Sequence, residues 1–530
     1  MPLRAYIIFE HPTGPASKKS EPCAGSETST YVPTGLRFSR PLTVSPALAK
    51  IPNYWPTCNH RGYAPSPKPV QVNEVFMPYE TTTEPSVDKQ LKSRPPSEQY
   101  AAKLTTPENA VRKIKSGSTL CLALGVGMPG GLAKAVADRV RSDDLKDLNL
   151  YYQHSMKYSA DTLICPEVLY KVDSRCFFMG DPDRKMVAYG IEQGKKNLSY
   201  VPINFSNIPR VLTEHIHVNT FVVTVSPMDK SGHFSLGTNN DYASIVLRHC
   251  DHVIVEVNPN MPRVFGDSLV HVSEVDAIVE NNAPLVQIPY KDPDPDSLKI
   301  GKCIAEQIPD GATLQLGIGN LPNAVAMYLA NHNDLGIHSE LFSHAFVRLV
   351  KSGVVNGRKK TLHPRKHVFT FAMGDDEVYD FINDNPSMES YASSYVNDIH
   401  VIKQHDYMMS VNTAIEVDLY GQVNAEFING HQYSGSGGQF DFVKGASFSK
   451  GGKSFIALKS AAKNATISCI VPRVQMATDT RMDVEYIVTE YGCVNLRGKS
   501  TRERALAMIS IAHPRFRDEL TAYAKSIVLI

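Results

Sequence analysis

No charge of either sign dominates this sequence of 530 residues, in which 55 Lys and Arg stand against 54 Asp and Glu. A net charge of +1 leaves no electrostatic footprint for a nucleic acid, so none is expected as a partner. The basic runs Arg358-Lys359-Lys360 and Lys195-Lys196 are short and read as solvated faces. The nine cysteines include no C-x-x-C pair and their number is odd, which argues for a reduced compartment and against a zinc site. Histidines such as His215, His217, His400 and His405 lack H-E-x-x-H spacing, and no metal is expected. No apolar run reaches the ~18 residues of a membrane span, so no membrane partner is expected either. A serine-hydrolase elbow is missing too, because Ser434 stands where G-x-S-x-G around Ser436 needs its first glycine.

What is present is length, and an internal echo. The length prior favours two or three domains, each able to bury a core without disulfides. Gly117-Ser-Thr-Leu-Cys-Leu-Ala-Leu-Gly125-Val-Gly127 aligns without a gap, 194 positions on, with Gly311-Ala-Thr-Leu-Gln-Leu-Gly317-Ile-Gly319. Both are apolar runs ending in a glycine turn, and so long a period implies two tandem α/β units rather than a solenoid of short repeats. The fold class expected is α/β, with two open, mostly parallel units facing each other across a cleft.

Three segments follow from composition. Residues 1–96 hold 16 of the 35 prolines and the sole tryptophan, Trp55, and read as a leader with little periodicity. Arg4, Lys18, Lys19, Arg37, Arg40 and Lys50 outnumber Glu10, Glu21 and Glu27 in its first 50 positions, so a mitochondrial address is the expectation, with a cytoplasmic one as the alternative. Residues 97–290 form the first α/β domain. There Asn219-Thr-Phe-Val-Val-Thr-Val and His252-Val-Ile-Val-Glu-Val read as strands, and Asp241-Tyr-Ala-Ser-Ile-Val-Leu-Arg as the helix of a βαβ unit. Lys291-Asp-Pro-Asp-Pro-Asp296 reads as a turn-rich linker. Residues 298–530 form the second domain, with strands expected at 313–316, 367–373, 409–419 and 467–471.

Gly125-Val-Gly127-Met-Pro-Gly130 fits G-x-G-x-x-G, yet its counterpart Gly317-Ile-Gly319-Asn-Leu-Pro322 lacks the third glycine, which argues against a dinucleotide fold. Both turns still offer backbone N–H groups at a helix start, suited to a phosphate or a developing oxyanion. Downstream of the second turn, Leu335-Gly-Ile-His-Ser-Glu340 supplies a carboxylate that is ionised at neutral pH at its ordinary pKa of ~4.3 and needs no base to attack an activated acyl group. The competing reading is a glutamate at a helix N-terminus, favoured by the macrodipole. Tyr433-Ser-Gly435-Ser-Gly437-Gly438-Gln-Phe-Asp441 is a glycine-rich turn whose amides suit an oxyanion hole, or simply a flexible turn.

Over roughly 105–525 the sequence resembles the acetyl-CoA hydrolase/transferase family, and within it the 4-hydroxybutyrate CoA-transferase branch. Ser226-Pro-Met-Asp, Gly232-His-Phe-Ser-Leu-Gly237, Glu256-Val-Asn-Pro-Asn-Met-Pro262-Arg263, Leu316-Gly-Ile-Gly319, Gly336-Ile-His-Ser-Glu340, Ala414-Ile-Glu-Val-Asp-Leu-Tyr-Gly-Gln422, Ser436-Gly-Gly-Gln-Phe-Asp441-Phe, Thr489-Glu-Tyr-Gly492 and Leu496-Arg-Gly-Lys-Ser500 carry the resemblance. It implies that Glu340 is the residue that becomes acylated, that Gly438 supplies the oxyanion amide and that Lys450 contacts coenzyme A. Gly317, Ile318, Gly319, Asn320 and Leu321 would form the CoA-binding turn. The activity implied is CoA transfer between an acyl-CoA and a small carboxylic acid (acetate, 4-hydroxybutyrate or a related short-chain or dicarboxylic acid) through a glutamyl-CoA thioester. An acyl-CoA hydrolase using the same glutamate is the alternative, and a binding protein without chemistry a third reading. No cofactor is implied, coenzyme A thioester being the substrate, and a homo-oligomer is expected. Where family members usually read Ser-Asp-Gly after the glutamate, this sequence has Ser343-His344-Ala345, and it has Val494-Asn495 where Ala-Asp is common. These departures bear on the acyl pocket, where His344 is a candidate charge or donor for a dicarboxylate.

Overall fold

The computed structural model describes residues 94–530, all of them within one compact unit. Apart from positions 94–96, the expected leader and its targeting segment lie outside the described residues. Among the described residues the first helix is Pro96–Lys103.

Two large, open α/β sheets dominate the described residues. The first has seven strands, in the order Ala277–Glu280, His252–Val257, Thr220–Val225, Thr119–Leu122, Asn149–Tyr152, Asp173–Cys176 and Ser199–Tyr200, all parallel. Thr220–Val225 and His252–Val257 are runs of β-branched residues with almost every side chain buried, as strands covered on both faces by helices require. The connection between them is βαβ as expected, but its helix shrinks to Ala243–Val246. The residues just before it are held elsewhere: the Asn240 and Asp241 N–H groups donate to the Thr370 carbonyl, and the Asn239 amide to Leu124. Tertiary hydrogen bonds thus override a local helical pattern.

The second sheet runs Gly492–Asn495, Tyr486–Thr489, Lys453–Ala457, Met408–Thr413, Thr313–Leu316, Gly336–Phe342, His367–Ala372, Met388–Ser390 and Phe265–Gly266. Only the strand Gly492–Asn495 is antiparallel. Phe265–Gly266, which precedes the 291–296 linker in sequence, pairs here with Met388–Ser390. The linker itself ends in order, because the Asp294 carboxylate accepts from the Asp296 and Ser297 N–H groups and starts helix Pro295–Ala305. The long strand expected over 409–419 breaks in two. The Ala414 N–H still donates to Ala457, but the Ile415 N–H donates to Asn424 and that of Val417 to Cys469, so Glu416–Asp418 leaves the large sheet for a small one with Val423–Asn424 and Ile470–Val471; Asp418 accepts from the N–H groups of Tyr420 and Gln422 at the turn that follows. The strand expected over 467–471 is likewise split, Ile467–Ser468 pairing with Ala461–Ala462.

The sequence echo is preserved in register. Thr119 lies opposite Asn149 in the first sheet, and Thr313, 194 positions on, lies opposite Gly336 in the second. In each sheet the chain adds strands to one side of this first strand and then returns to its other side, Thr220–Val225 in one and Met408–Thr413 in the other. Such a reversal leaves a crevice at the carboxyl ends of the strands, where α/β proteins bind ligands.

Candidate active site

Both crevices open on the same space. A cavity of about 220 Å3 is lined from the first half by Leu124, Gln153, His154 and Phe178, each just past a strand end, and from the second by Gln315–Ile318, Glu340 and Val411–Thr413. Gln439 completes it from beyond the glycine loop.

Glu340 sits within strand Gly336–Phe342, which removes the helix N-terminal reading of this residue. Its Oε2 accepts from the Asn397 side-chain amide at 2.6 Å. Burial pushes the Glu340 carboxyl up to about 7; the Asn397 hydrogen bond opposes the rise, the nearby Asp441 carboxylate adds to it, and a hydrogen bond from the Gly438 backbone N–H opposes it. A carboxyl poised near neutrality, half-buried at a cavity, is what nucleophilic or acid–base work at physiological pH requires.

The glycine loop is held rather than loose. Ser436 Oγ donates to the Ile203 carbonyl at 2.8 Å, Phe205 N–H to the Gly437 carbonyl at 3.1 Å, and Met179 N–H to the Ser434 carbonyl at 3.3 Å. All three bonds cross from one half to the other. Gly437 has φ of +54°, a left-handed conformation that favours glycine. Gly438 is needed for a different reason, since a Cβ there would overlap both the Asn397 amide and the Glu340 carboxylate. The loop thereby delivers the Gly438 N–H, at the start of helix Gln439–Phe448, to Glu340, where the helix dipole also favours negative charge. Asp441, in the first turn of that helix, is anchored to the first half by the Ser206 N–H at 3.1 Å and Oγ at 3.0 Å.

Of the other expected residues, Gly317 and Ile318 line the cavity. Gly319, with φ of +109°, caps helix Asn320–Tyr328; Asn320 donates to Asp294 at 3.3 Å and Leu321 is buried in the core of the second half. Lys450 lies on the surface beyond helix Gln439–Phe448, with Nζ 3.5 Å from Asp406, and is not part of the cavity wall. His344 does not line the cavity either. It is buried at the start of helix His344–Lys351 with Nε2 2.8 Å from Asp375, so the charge or donor expected there faces a carboxylate of the protein itself. Among the described residues, no three His, Cys, Asp or Glu side chains gather as a metal site would need.

The sequence matches the model of the acetyl-CoA hydrolase/transferase N-terminal domain over residues 86–289 and that of the C-terminal domain over residues 374–524. The chain belongs to the acetyl-CoA hydrolase/transferase family. A 4-hydroxybutyrate coenzyme A transferase of Clostridium kluyveri is 42% identical over 426 residues, covering 79% of this chain and 97% of that protein. The crystal structure of RipA from Yersinia pestis superposes with a TM-score of 0.81 at 47% identity, covering 82% of this chain and all of that one. An acetyl-CoA hydrolase of Candida glabrata is more distant, at 26% identity over 501 residues, 83% of this chain and 91% of that protein.

In this acetyl-CoA hydrolase/transferase chain the two glycine turns are not equivalent, contrary to the expectation that both offer free N–H groups. Glu256, from the end of strand His252–Val257, fills the first: its Oε2 accepts from the Leu132 N–H at 2.9 Å while Asn281 donates to Oε1 at 2.8 Å. A Cβ at Gly131 would press on that carboxylate. The N-terminus of helix Gly130–Arg141 is therefore closed by an internal anion, and only the second turn borders the cavity.

Sequence reasoning missed Asn397 and the residues that place it. His338 lies two positions before Glu340 and so on the same face of the strand. Burial lowers its pKa to about 3, so it is neutral, and its Nε2 donates to the Val396 carbonyl at 2.8 Å, fixing the residue next to Asn397. The period-two spacing of His338 and Glu340 is a readable signal; nothing local marks Asn397, 57 positions away.

Proposed function

We propose that this enzyme transfers coenzyme A between an acyl-CoA and a small carboxylic acid through a glutamyl-CoA thioester on Glu340. The observation that carries the reading is a carboxyl held near neutrality in the cavity, met by one side-chain and one backbone amide donor. A Glu340 oxygen attacks the thioester carbonyl, the C–S bond breaks and CoA thiolate leaves, forming a mixed anhydride. The thiolate then attacks the glutamyl carbonyl, expelling the donor carboxylate and leaving the thioester. An acceptor carboxylate attacks that thioester and the two steps run in reverse, so turnover is ping-pong and no proton need be moved.

The burial that penalises the Glu340 carboxylate favours its uncharged acylated forms. The Gly438 N–H and the Asn397 amide are placed to stabilise oxyanions that develop on the Glu340 carbonyl. The second glycine turn, Gly317–Leu321, is assigned to coenzyme A, with Lys450 as an outer contact for its charged end.

Incubation with acetyl-CoA alone, borohydride reduction and peptide mapping tests the route. A reduced adduct at Glu340, absent in Glu340→Ala, is the expected result; an unmodified Glu340 with steady CoA release independent of added carboxylate would instead favour acyl-CoA hydrolysis. Self-association and a mitochondrial address encoded in the first 50 residues are proposed alongside, to be read by light scattering and by import of a reporter fusion.

A further inference from the structure

The two donors that meet Glu340, the Gly438 N–H and the Asn397 amide, are both tied to one short segment of the other half. Phe205 and Ser206 belong to the turn Phe205–Asn207, which follows the edge strand Ser199–Tyr200 of the first sheet. The Phe205 N–H donates to the Gly437 carbonyl at 3.1 Å, and the Ser206 N–H and Oγ donate to the Asp441 carboxylate at 3.1 and 3.0 Å. Gly438 lies between the two residues so held. The Phe205 carbonyl, in turn, accepts from Ser393 Oγ at 3.0 Å. Ser393 opens the one-turn helix Ser393–Val396. Its N–H donates to the Asp241 carbonyl, also of the first half, at 2.6 Å, and its own carbonyl accepts from the Asn397 N–H at 2.9 Å. Phe205, with one N–H and one C=O, therefore ties down both the loop that carries the backbone donor and the turn that carries the side-chain donor.

The segment has little freedom of its own. Phe205 is fully buried, and its ring meets that of Phe371 edge-on, with centroids 6.0 Å apart and planes at 86°. Phe371 lines the cavity and lies opposite Leu341 in the sheet, next to Glu340 in sequence. Ser393 and Asn397 are fully buried and Asp441 nearly so. Deleting either serine hydroxyl would leave its partner oxygen short of a donor away from bulk water, so these bonds resist exchange for hydration.

Contacts that only joined the two halves would have no reason to converge on the two donors of a single carboxylate. We propose that Ser206 and Ser393 are positioning residues: with the backbone of Phe205 between them, they refer the Gly438 N–H and the Asn397 amide to one common segment, so that the first half sets the donor geometry around a reacting carboxylate that belongs to the second. This rests on the CoA-transferase reading of Glu340. Donors aimed at a developing oxyanion act by being fixed in advance, so a small displacement weakens the transition state more than the bound substrate.

Kinetics of CoA transfer from acetyl-CoA to butyrate test the assignment in Ser206→Ala, Ser206→Thr and Ser393→Ala, with thermal unfolding to establish that each variant folds. Both alanine variants should lower kcat by about 10- to 100-fold, the range for a misplacement of about 1 Å at a reacting group, while KM for acetyl-CoA stays within about twofold. Ser206→Thr keeps the hydroxyl and should recover most of the rate. Ser393→Ala should also move the pH midpoint of kcat/KM upward, in the same sense as Asn397→Ala, because in both a donor that favours the charged form of Glu340 is lost or displaced. Since Ser393 acts through Asn397, it should cost nothing further in an Asn397→Ala background. A full additional loss there, a KM that rises in step with the fall in kcat, or unimpaired turnover in either alanine variant would overturn the assignment while leaving the transferase reading intact. Absence of a borohydride-trapped adduct on wild-type Glu340 would remove the transferase reading, and this assignment with it.

Discussion

Asn397 and Glu340, 57 positions apart in sequence, meet at 2.6 Å with the amide donating to the carboxylate. The contact opposes the rise in pKa that burial imposes on Glu340, and so favours the ionised carboxylate at neutral pH.

With the Glu340 carboxyl titrating near 7, kcat/KM for CoA transfer should fall about tenfold per unit as pH drops below that value. Asn397→Ala removes a donor that favours the charged form, so the midpoint should move to higher pH, and Asn397→Asp should move it further by adding a second acid. A pH–rate profile with an unmoved midpoint in both variants would take Asn397 out of this role.

The same carboxyl affects stability. Its pKa is near 7 in the folded protein and ~4.3 in an unfolded chain, so the folded state binds more protons between those values, and stability is lost as pH rises through them. Glu340→Gln should therefore be more stable than the wild type at pH 8, by on the order of 1–3 kcal/mol, with the difference vanishing by about pH 4. Thermal unfolding at the two pH values checks both the sign and the window.

Gly438→Ala places a methyl group where the Asn397 amide and the Glu340 carboxylate already stand. A loss of about 100-fold or more in kcat is expected, as for removal of an oxyanion donor, with the circular dichroism of the folded protein retained. Near-normal turnover would mean that the loop has room to retreat despite its three bonds to the first half.

Glu256 caps helix Gly130–Arg141 from within, so Glu256→Ala should cost roughly 1–3 kcal/mol in stability while leaving the KM for acyl-CoA unchanged. A KM raised more than fivefold in a variant that still folds would show that the first glycine turn does serve the substrate.

Much of the fold is legible in the amino-acid sequence. The 194-residue echo, the β-branched runs and the glycine turns are patterns that report periodicity and turn chemistry, which is why two mostly parallel sheets, with Glu340 one unit downstream of a glycine turn, follow from them. The elements that depart from expectation do so for one physical reason. Helix Ala243–Val246 is cut short, and the 409–419 strand broken, by backbone hydrogen bonds to other segments of the chain, which leave no periodic trace.

The amino-acid sequence determined which groups are available: a glutamate one unit downstream of a glycine turn, the glycine-rich run Gly435–Gly438, and an echo that specifies two α/β units. Tertiary structure alone decided how their chemistry is tuned, because the burial of Glu340, the Asn397 donor and the approach of Gly438 come from segments far apart in the sequence. It also decided which glycine turn stays open, since Glu256, from a strand 124 positions beyond the Leu132 whose N–H it accepts, closes the first one only when the sheet has formed.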